Sequence, residues 1–169
     1  MTDLTHATPA PHASPRTGTT LQYSTFFVNG LYFGVEVLAV QEVIRYQQMT
    51  RIPLAPPVIS GLINLRGQIV TAIDVRTRLG MDPRPDDQLP MNVVVRTDEG
   101  VTSLLVDEIG DVVEVQSAQF EPTPETVRGT ARDLVDGIYK LDKRLLLVLN
   151  VSRTVHLGSV DPTIPNGGR

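Results

Sequence analysis

The densest group of side chains that could act as acids, bases or metal ligands is Asp107, Glu108 and Asp111, three carboxylates within five positions. Paired carboxylates can divide general-acid and general-base work, and a cluster of them suits a hard divalent cation. This cluster closes an apolar run, Leu104-Leu105-Val106, and solvated acids are routine at a strand end. The companions such chemistry needs are missing. There is no cysteine, and the three histidines, His6, His12 and His156, lie in or beside the polar ends of the chain. No phosphate-cradling glycine loop, nucleophile elbow or zinc motif occurs. The sequence predicts a protein with no catalytic residue, no metal and no cofactor.

Two residues suit recognition rather than reaction. Arg66 lies in a turn, Leu65-Arg66-Gly67, between the apolar pairs Leu62-Ile63 and Ile69-Val70. It reads either as a solvated turn residue or as a planar guanidinium held at a defined point, able to engage a carboxylate or backbone carbonyls. Glu42 carries a matching pair of readings, a solvated side chain or the ion-pair partner that fixes Arg66. Asp74 precedes Val75-Arg76-Thr77-Arg78-Leu79 and is expected to cap a short helix. Pro53-Leu54-Ala55-Pro56 fits the PxxP pattern and Asn150-Val151-Ser152 the glycosylation sequon, and both are taken as accidental matches.

The elements that must position these residues come as a duplication. Gly61 to Val75, GLINLRGQIVTAIDV, returns in altered letters at Gly137 to Val151, GIYKLDKRLLLVLNV. In each copy a glycine opens an apolar run, a polar turn interrupts it, and a second run ends on a natural helix cap, Asp74 or Asn150. Each copy is preceded by a strand–turn–strand pattern: Phe26 to Phe33 around Asn29-Gly30, a strong hairpin signal, and Val93 to Val101. Between them, Val37, Val40, Gln41 and Ile44 fall at helical spacing, which predicts a short amphipathic helix over Glu36 to Tyr46. Proline-rich connections follow at 50–57, 81–90 and 120–130. Strands are expected near Met91 to Arg96, Val101 to Val106, Asp111 to Val115, Leu134 to Lys140 and Arg144 to Leu149. Two five-strand groups with few helices predict small, partly closed β barrels that hide their edges, with a groove between them.

Composition narrows the setting. The chain has 169 residues, 41% hydrophobic, enough for two small barrels sharing a core. No run approaches the roughly 18 apolar residues of a membrane span, and the N-terminus lacks a secretory apolar core, so a cytoplasmic protein is expected. Residues 1–20 and 157–169, rich in Pro, Thr, Ser and Gly, are expected to be disordered tails around a domain at 21–156 made of two intertwined β-barrel subdomains, approximately 21–80 and 81–156. The net charge of −4 divides unevenly: Leu21 to Gly80 holds five Arg against three acids, and Met81 to His156 eight Lys plus Arg against fourteen acids. Such opposite signs either steer head-to-tail contacts or mark two independently solvated surfaces. Arg45, Arg51, Arg66, Arg76 and Arg78 offer an alternative reading, a single-stranded nucleic-acid binder. Against it stand a pI near 5.3 and the absence of tryptophan.

One resemblance organises these features. Tyr32-Phe33-Gly34-Val35 leading to Val40-Gln41-Glu42-Val43-Ile44, Gly61-Leu62-Ile63-Asn64-Leu65-Arg66-Gly67, Ile73-Asp74-Val75-Arg76, Leu105-Val106-Asp107-Glu108-Ile109 with Val112-Val113, and Leu145 to Asn150 together resemble the CheW family of bacterial chemotaxis coupling proteins. The likeness runs from about Gln22 to Val155, and the Asn-Leu-Arg-Gly block followed by Asp-Val-Arg is its most specific part. It implies two tandem SH3-like five-stranded barrels sharing a core, in a non-enzymatic adaptor. The partners it implies are the cytoplasmic tips of chemoreceptors (methyl-accepting chemotaxis proteins), the regulatory domain of the histidine kinase CheA, and other CheW-like subunits in rings. Neither nucleic acid nor membrane insertion is implied. Carried over by position, Val40, Glu42, Gly61, Asn64 and Arg66 are expected on the receptor-binding and kinase-control face, and Ile69 and Ile109 at kinase contacts. Ser103 stands where glycine is common in the family.

Overall fold

The computed structural model describes residues 18–158. The expected tails, with His6 and His12, lie outside the described residues except at their inner ends, where a strand already begins at Thr20. In chain order the strands are β1 Thr20–Val28, β2 Leu31–Glu36, β3 Val40–Ile44, β4 Ile59–Leu65, β5 Gln68–Asp74, β6 Met91–Thr97, β7 Gly100–Val106, β8 Glu108–Gln116, β9 Val135–Lys140 and β10 Leu145–Leu149. Three single-turn helices accompany them: α1 Val75–Arg78, α2 Thr130–Leu134 and α3 Val151–Val155. The fold is mainly β, with two five-stranded SH3-like units.

The strands form two sheets of matching order, β8-β1-β2-β10-β9 and β3-β6-β7-β5-β4. Each has one parallel pair at the corresponding place, β2 with β10 and β7 with β5. The duplication is therefore present in space. The cut near Gly80, however, separates the two repeats and not the two sheets. Repeat one gives β1 and β2 to the first sheet and β3, β4 and β5 to the second, while repeat two gives β6 and β7 to the second and β8, β9 and β10 to the first. Subdomains at 21–80 and 81–156 thus do not coincide with the two units, because each repeat's third strand crosses over to extend the other's hairpin.

The apolar pattern explains how the sheets join. β10 reads Leu-Leu-Leu-Val-Leu without alternation, the mark of a strand buried on both sides. Leu147 and Leu149 face a core shared by both sheets, with Phe26, Phe33, Ile73, Val93 and Leu104, while Leu146 and Val148 face a second core with Tyr23 and Tyr139. β5 divides likewise, Ile73 into the shared core and Val70 and Ala72 into a third core with Ile63 and Leu105. The two sheets accordingly pack on a shared apolar core. Phe26 and Phe33 stack there, fully buried, with ring centroids 6.1 Å apart. Burying a side chain of that size contributes about 1.5–3 kcal/mol.

The helix expected over Glu36 to Tyr46 is absent. A 3-10 turn covers Val37–Ala39, and β3 follows, alternating between half-buried and exposed residues and pairing with β6. The apolar spacing fits both periods over so short a window, and β-branched Val40, Val43 and Ile44 favour the strand once β6 offers an edge.

Candidate functional site

Arg66 is delivered by a tight hairpin. Leu65 pairs with Gln68, leaving Arg66 and Gly67 as a two-residue loop, and both have positive φ, 52° and 85°. That backbone is the type I′ turn, whose twist matches the flanking strands. The Asn64 side-chain oxygen accepts the Gly67 amide at 2.9 Å, fixing the turn from one side. From the other side Arg66 Nη2 donates to Glu42 Oε2 at 3.0 Å. Glu42 is on β3 and Arg66 on the β4–β5 turn, so the pair spans the two edges of one sheet. Arg66 is 84% exposed and Glu42 only 18%. A carboxylate seated on the scaffold thus aims a solvent-facing guanidinium, whose remaining donors are free for a partner.

Gly61 serves the same hairpin from below. At a bulge in β4 it lies against the connection from β3, where Thr50 bridges to Leu62, and a β-carbon there would fall 2.6 Å from the Thr50 carbonyl oxygen. Gly137 repeats the arrangement under the Glu121–Ile138 bridge, 2.5 Å from the Glu121 carbonyl oxygen. The glycines that open the two repeats are therefore places where one chain crosses closely over another.

The remaining expected residues divide. Ile69, directly across from Asn64, is 60% exposed and shares the hairpin with Arg66. Val40 and Ile109 are half-buried against the shared core, and Ile109 belongs to the other sheet. These two are turned inward and offer little surface.

The carboxylate cluster resolves into parts with different roles. Asp107 is buried and accepts hydrogen bonds from Arg76 Nε at 2.9 and 3.0 Å, Arg76 Nη2 at 2.6 Å, Arg84 Nε at 2.9 Å and the Asn29 amide at 2.7 Å. Arg84 also reaches Asp74 at 3.1 Å, so Asp74 both caps α1 and joins this network. Burial pushes the Asp107 carboxyl up, but hydrogen bonds from Arg76 and the Asn29 amide and the charges of Arg84 and Arg76 outweigh it and hold the group below the usual carboxylate range. The same pairing raises Arg76. Glu108 and Asp111 are exposed, and among the described residues no group of acids, histidines or cysteines is arranged to hold a metal ion. The network was hidden in the sequence because Arg76 and Arg84 stand 31 and 23 positions from Asp107, and Arg84 sits in a proline-rich connection with no pattern of its own. Ser103 also finds a role: its hydroxyl donates to buried Asn92 at 2.8 Å, and Asn92 donates to the Arg45 carbonyl at 3.1 Å.

Residues 22–158 match the family model for the CheW-like domain. The chain belongs to the CheW-like family. The chemotaxis protein CheW of Klebsiella aerogenes is 30% identical over 132 residues, covering 78% of this chain and 80% of that protein. CheW of Bacillus subtilis is 28% identical over 141 residues, 83% of this chain and 90% of its own length. Among solved structures, the scaffolding protein TtCheW from Thermoanaerobacter tengcongensis superposes with a TM-score of 0.70 at 29% identity, covering 78% of this chain and 89% of that one. The CheW-like chain is a non-enzymatic scaffold of chemotaxis signalling, and its arginines agree. Of those that could have contacted nucleic acid, Arg76 is consumed by Asp107 and Arg78 by the carbonyls of Arg153, Thr154 and His156. The nucleic-acid reading is set aside. No helix among the described residues is long and apolar enough to cross a membrane.

Proposed function

We propose that this CheW-like chain is the cytoplasmic adaptor that couples chemoreceptor tips to a CheA-type histidine kinase within membrane-anchored receptor arrays. Its output is geometric: it holds both partners so that a change in the receptor biases the kinase. The observation that carries this reading is the Glu42–Arg66 pair between the two edges of one sheet, an exposed cation fixed by a seated carboxylate. Gly61 and Asn64 hold the hairpin that presents it, and Ile69 adds apolar surface beside it for the kinase. Val40 and Ile109 act from beneath, through the packing of β3 and β8. A repeated architecture of two five-stranded units supports assembly with related subunits in rings.

The test is receptor-coupled kinase phosphorylation reconstituted with purified components. Arg66→Ala is expected to lose coupling while circular dichroism and the melting temperature stay unchanged. Full coupling by Arg66→Ala would overturn the assignment of this face.

A further inference from the structure

A cleft of about 650 Å³ opens on the sheet that does not carry Arg66, between the β1–β2 hairpin, β10 and the segment 126–131 leading into α2. Its walls are apolar, including Val127 and two half-exposed leucines, Leu31 and Leu145. Its charged lining is all of one sign, Arg128, Lys143 and Arg144, with no acid among the lining residues. This is unexpected where repeat two carries eight Lys plus Arg against fourteen acids. It is also unlike the cleft beside β4, where Arg51 and Arg84 are offset by Asp74 and Asp86. None of the three cations has a carboxylate partner among the described residues. Arg144 is fixed all the same: its guanidinium lies over the rings of Phe27 and Tyr32, 5.3 and 4.9 Å from their centroids. Stacking holds the charge at the wall and leaves the planar edge with its N–H donors unspent.

From this combination we infer that the cleft is a second docking surface, for an acidic segment of a partner protein that anchors leucine-sized side chains between Leu31 and Leu145 and sets carboxylates against Arg128, Lys143 and Arg144. Charge complementarity decides the occupant. A basic or neutral segment would leave three positive charges clustered around a desolvated apolar floor, whereas an acidic one offsets them in a prearranged geometry. The inference rests on the adaptor reading for the partner's being a protein, and it gives the adaptor a face separate from the Arg66 hairpin.

The experiment uses the full chain and a fluorescein-labelled twelve-residue peptide of alternating leucine and glutamate pairs, followed by fluorescence anisotropy. Saturable binding is expected that weakens as salt rises from about 0.05 to about 0.5 M. The double variant Arg128→Glu/Lys143→Glu should weaken it by at least about tenfold, because it sets like charges against the carboxylates of the peptide. Arg66→Ala should leave it unchanged, which separates this inference from the coupling role of Arg66. If charge reversal disturbs the fold by circular dichroism, Arg128→Gln/Lys143→Gln is read in its place. Absence of saturable binding, equal binding by the double variant, or equal binding of a peptide with lysine in place of glutamate overturns the inference. Binding of decanoate at these residues without the peptide also overturns it and reassigns the cleft to a small anionic amphiphile.

Discussion

Replacing Asp107 with asparagine keeps the side-chain shape and removes one charge from the centre of the buried network. Asp107 receives three hydrogen bonds from Arg76 and one from Arg84, whose side chains are 10% and 6% exposed. Arg84 keeps Asp74, but Arg76 loses its only carboxylate contact among the described residues. Stranding one member of a buried pair costs about 3–5 kcal/mol, a large fraction of the roughly 5–15 kcal/mol that holds an ordinary domain together. Taking about 4 kcal/mol and about 2–4 °C per kcal/mol for a chain of this size, the melting temperature should fall by roughly 8–16 °C. With a urea slope of about 2 kcal/mol/M the unfolding midpoint should drop by about 2 M. The effect should also depend on pH. The Asp107 carboxyl is held below its unfolded value, so its stabilisation is complete above the unfolded pKa of about 3.9 and is lost as pH falls through the folded one. The gap between wild type and Asp107→Asn is therefore constant near neutrality and narrows below about pH 4. Urea denaturation at a series of pH values reads both. A gap under about 1 kcal/mol at pH 7, or one that widens on acidification, would refute the reasoning.

Four further outcomes follow from the same geometry. Arg66→Ala should change stability by less than about 1 kcal/mol in urea unfolding, since the Arg66 side chain is itself largely solvent-exposed, even as coupling is lost. Gly61→Ala and Gly137→Ala should each cost about 1–3 kcal/mol by overpacking against a crossing carbonyl, read as a lowered melting temperature, while Gly67→Ala has open space and pays only the strain of its positive φ. Asn150→Ala should lose about 1 kcal/mol of cap, and Asp74→Ala more, because Asp74 also holds Arg84. Ser103→Ala should destabilise by about 1–3 kcal/mol in thermal melts, because it strips a donor from buried Asn92.

Much of this architecture was legible in the chain because the duplication repeats the local code. Asn29-Gly30 and Arg66-Gly67 specify turns, Asp74 and Asn150 specify caps, and the unbroken leucines of β10 announce burial on both faces. β3 was misread because Val40 and Ile44 satisfy helical spacing as well as alternation, and only the neighbouring edge of β6 decides between them. The Glu42–Arg66 ion pair was one of the two readings the residue types allowed, and the sheet brings the two side chains together. Intertwined barrels were expected, but which strands cross and the Arg76–Asp107–Arg84 network were not legible, since each depends on segments brought together only after both repeats have paired.

The reciprocal exchange of strands makes each barrel hostage to both repeats. Each sheet takes two strands from one repeat and three from the other, so a polypeptide severed within 81–90 is expected to restore the native pair of sheets only when both fragments are mixed. In effect the molecule is an intertwined homodimer fused end to end, and damage to one repeat is transmitted mechanically to both of the surfaces it presents.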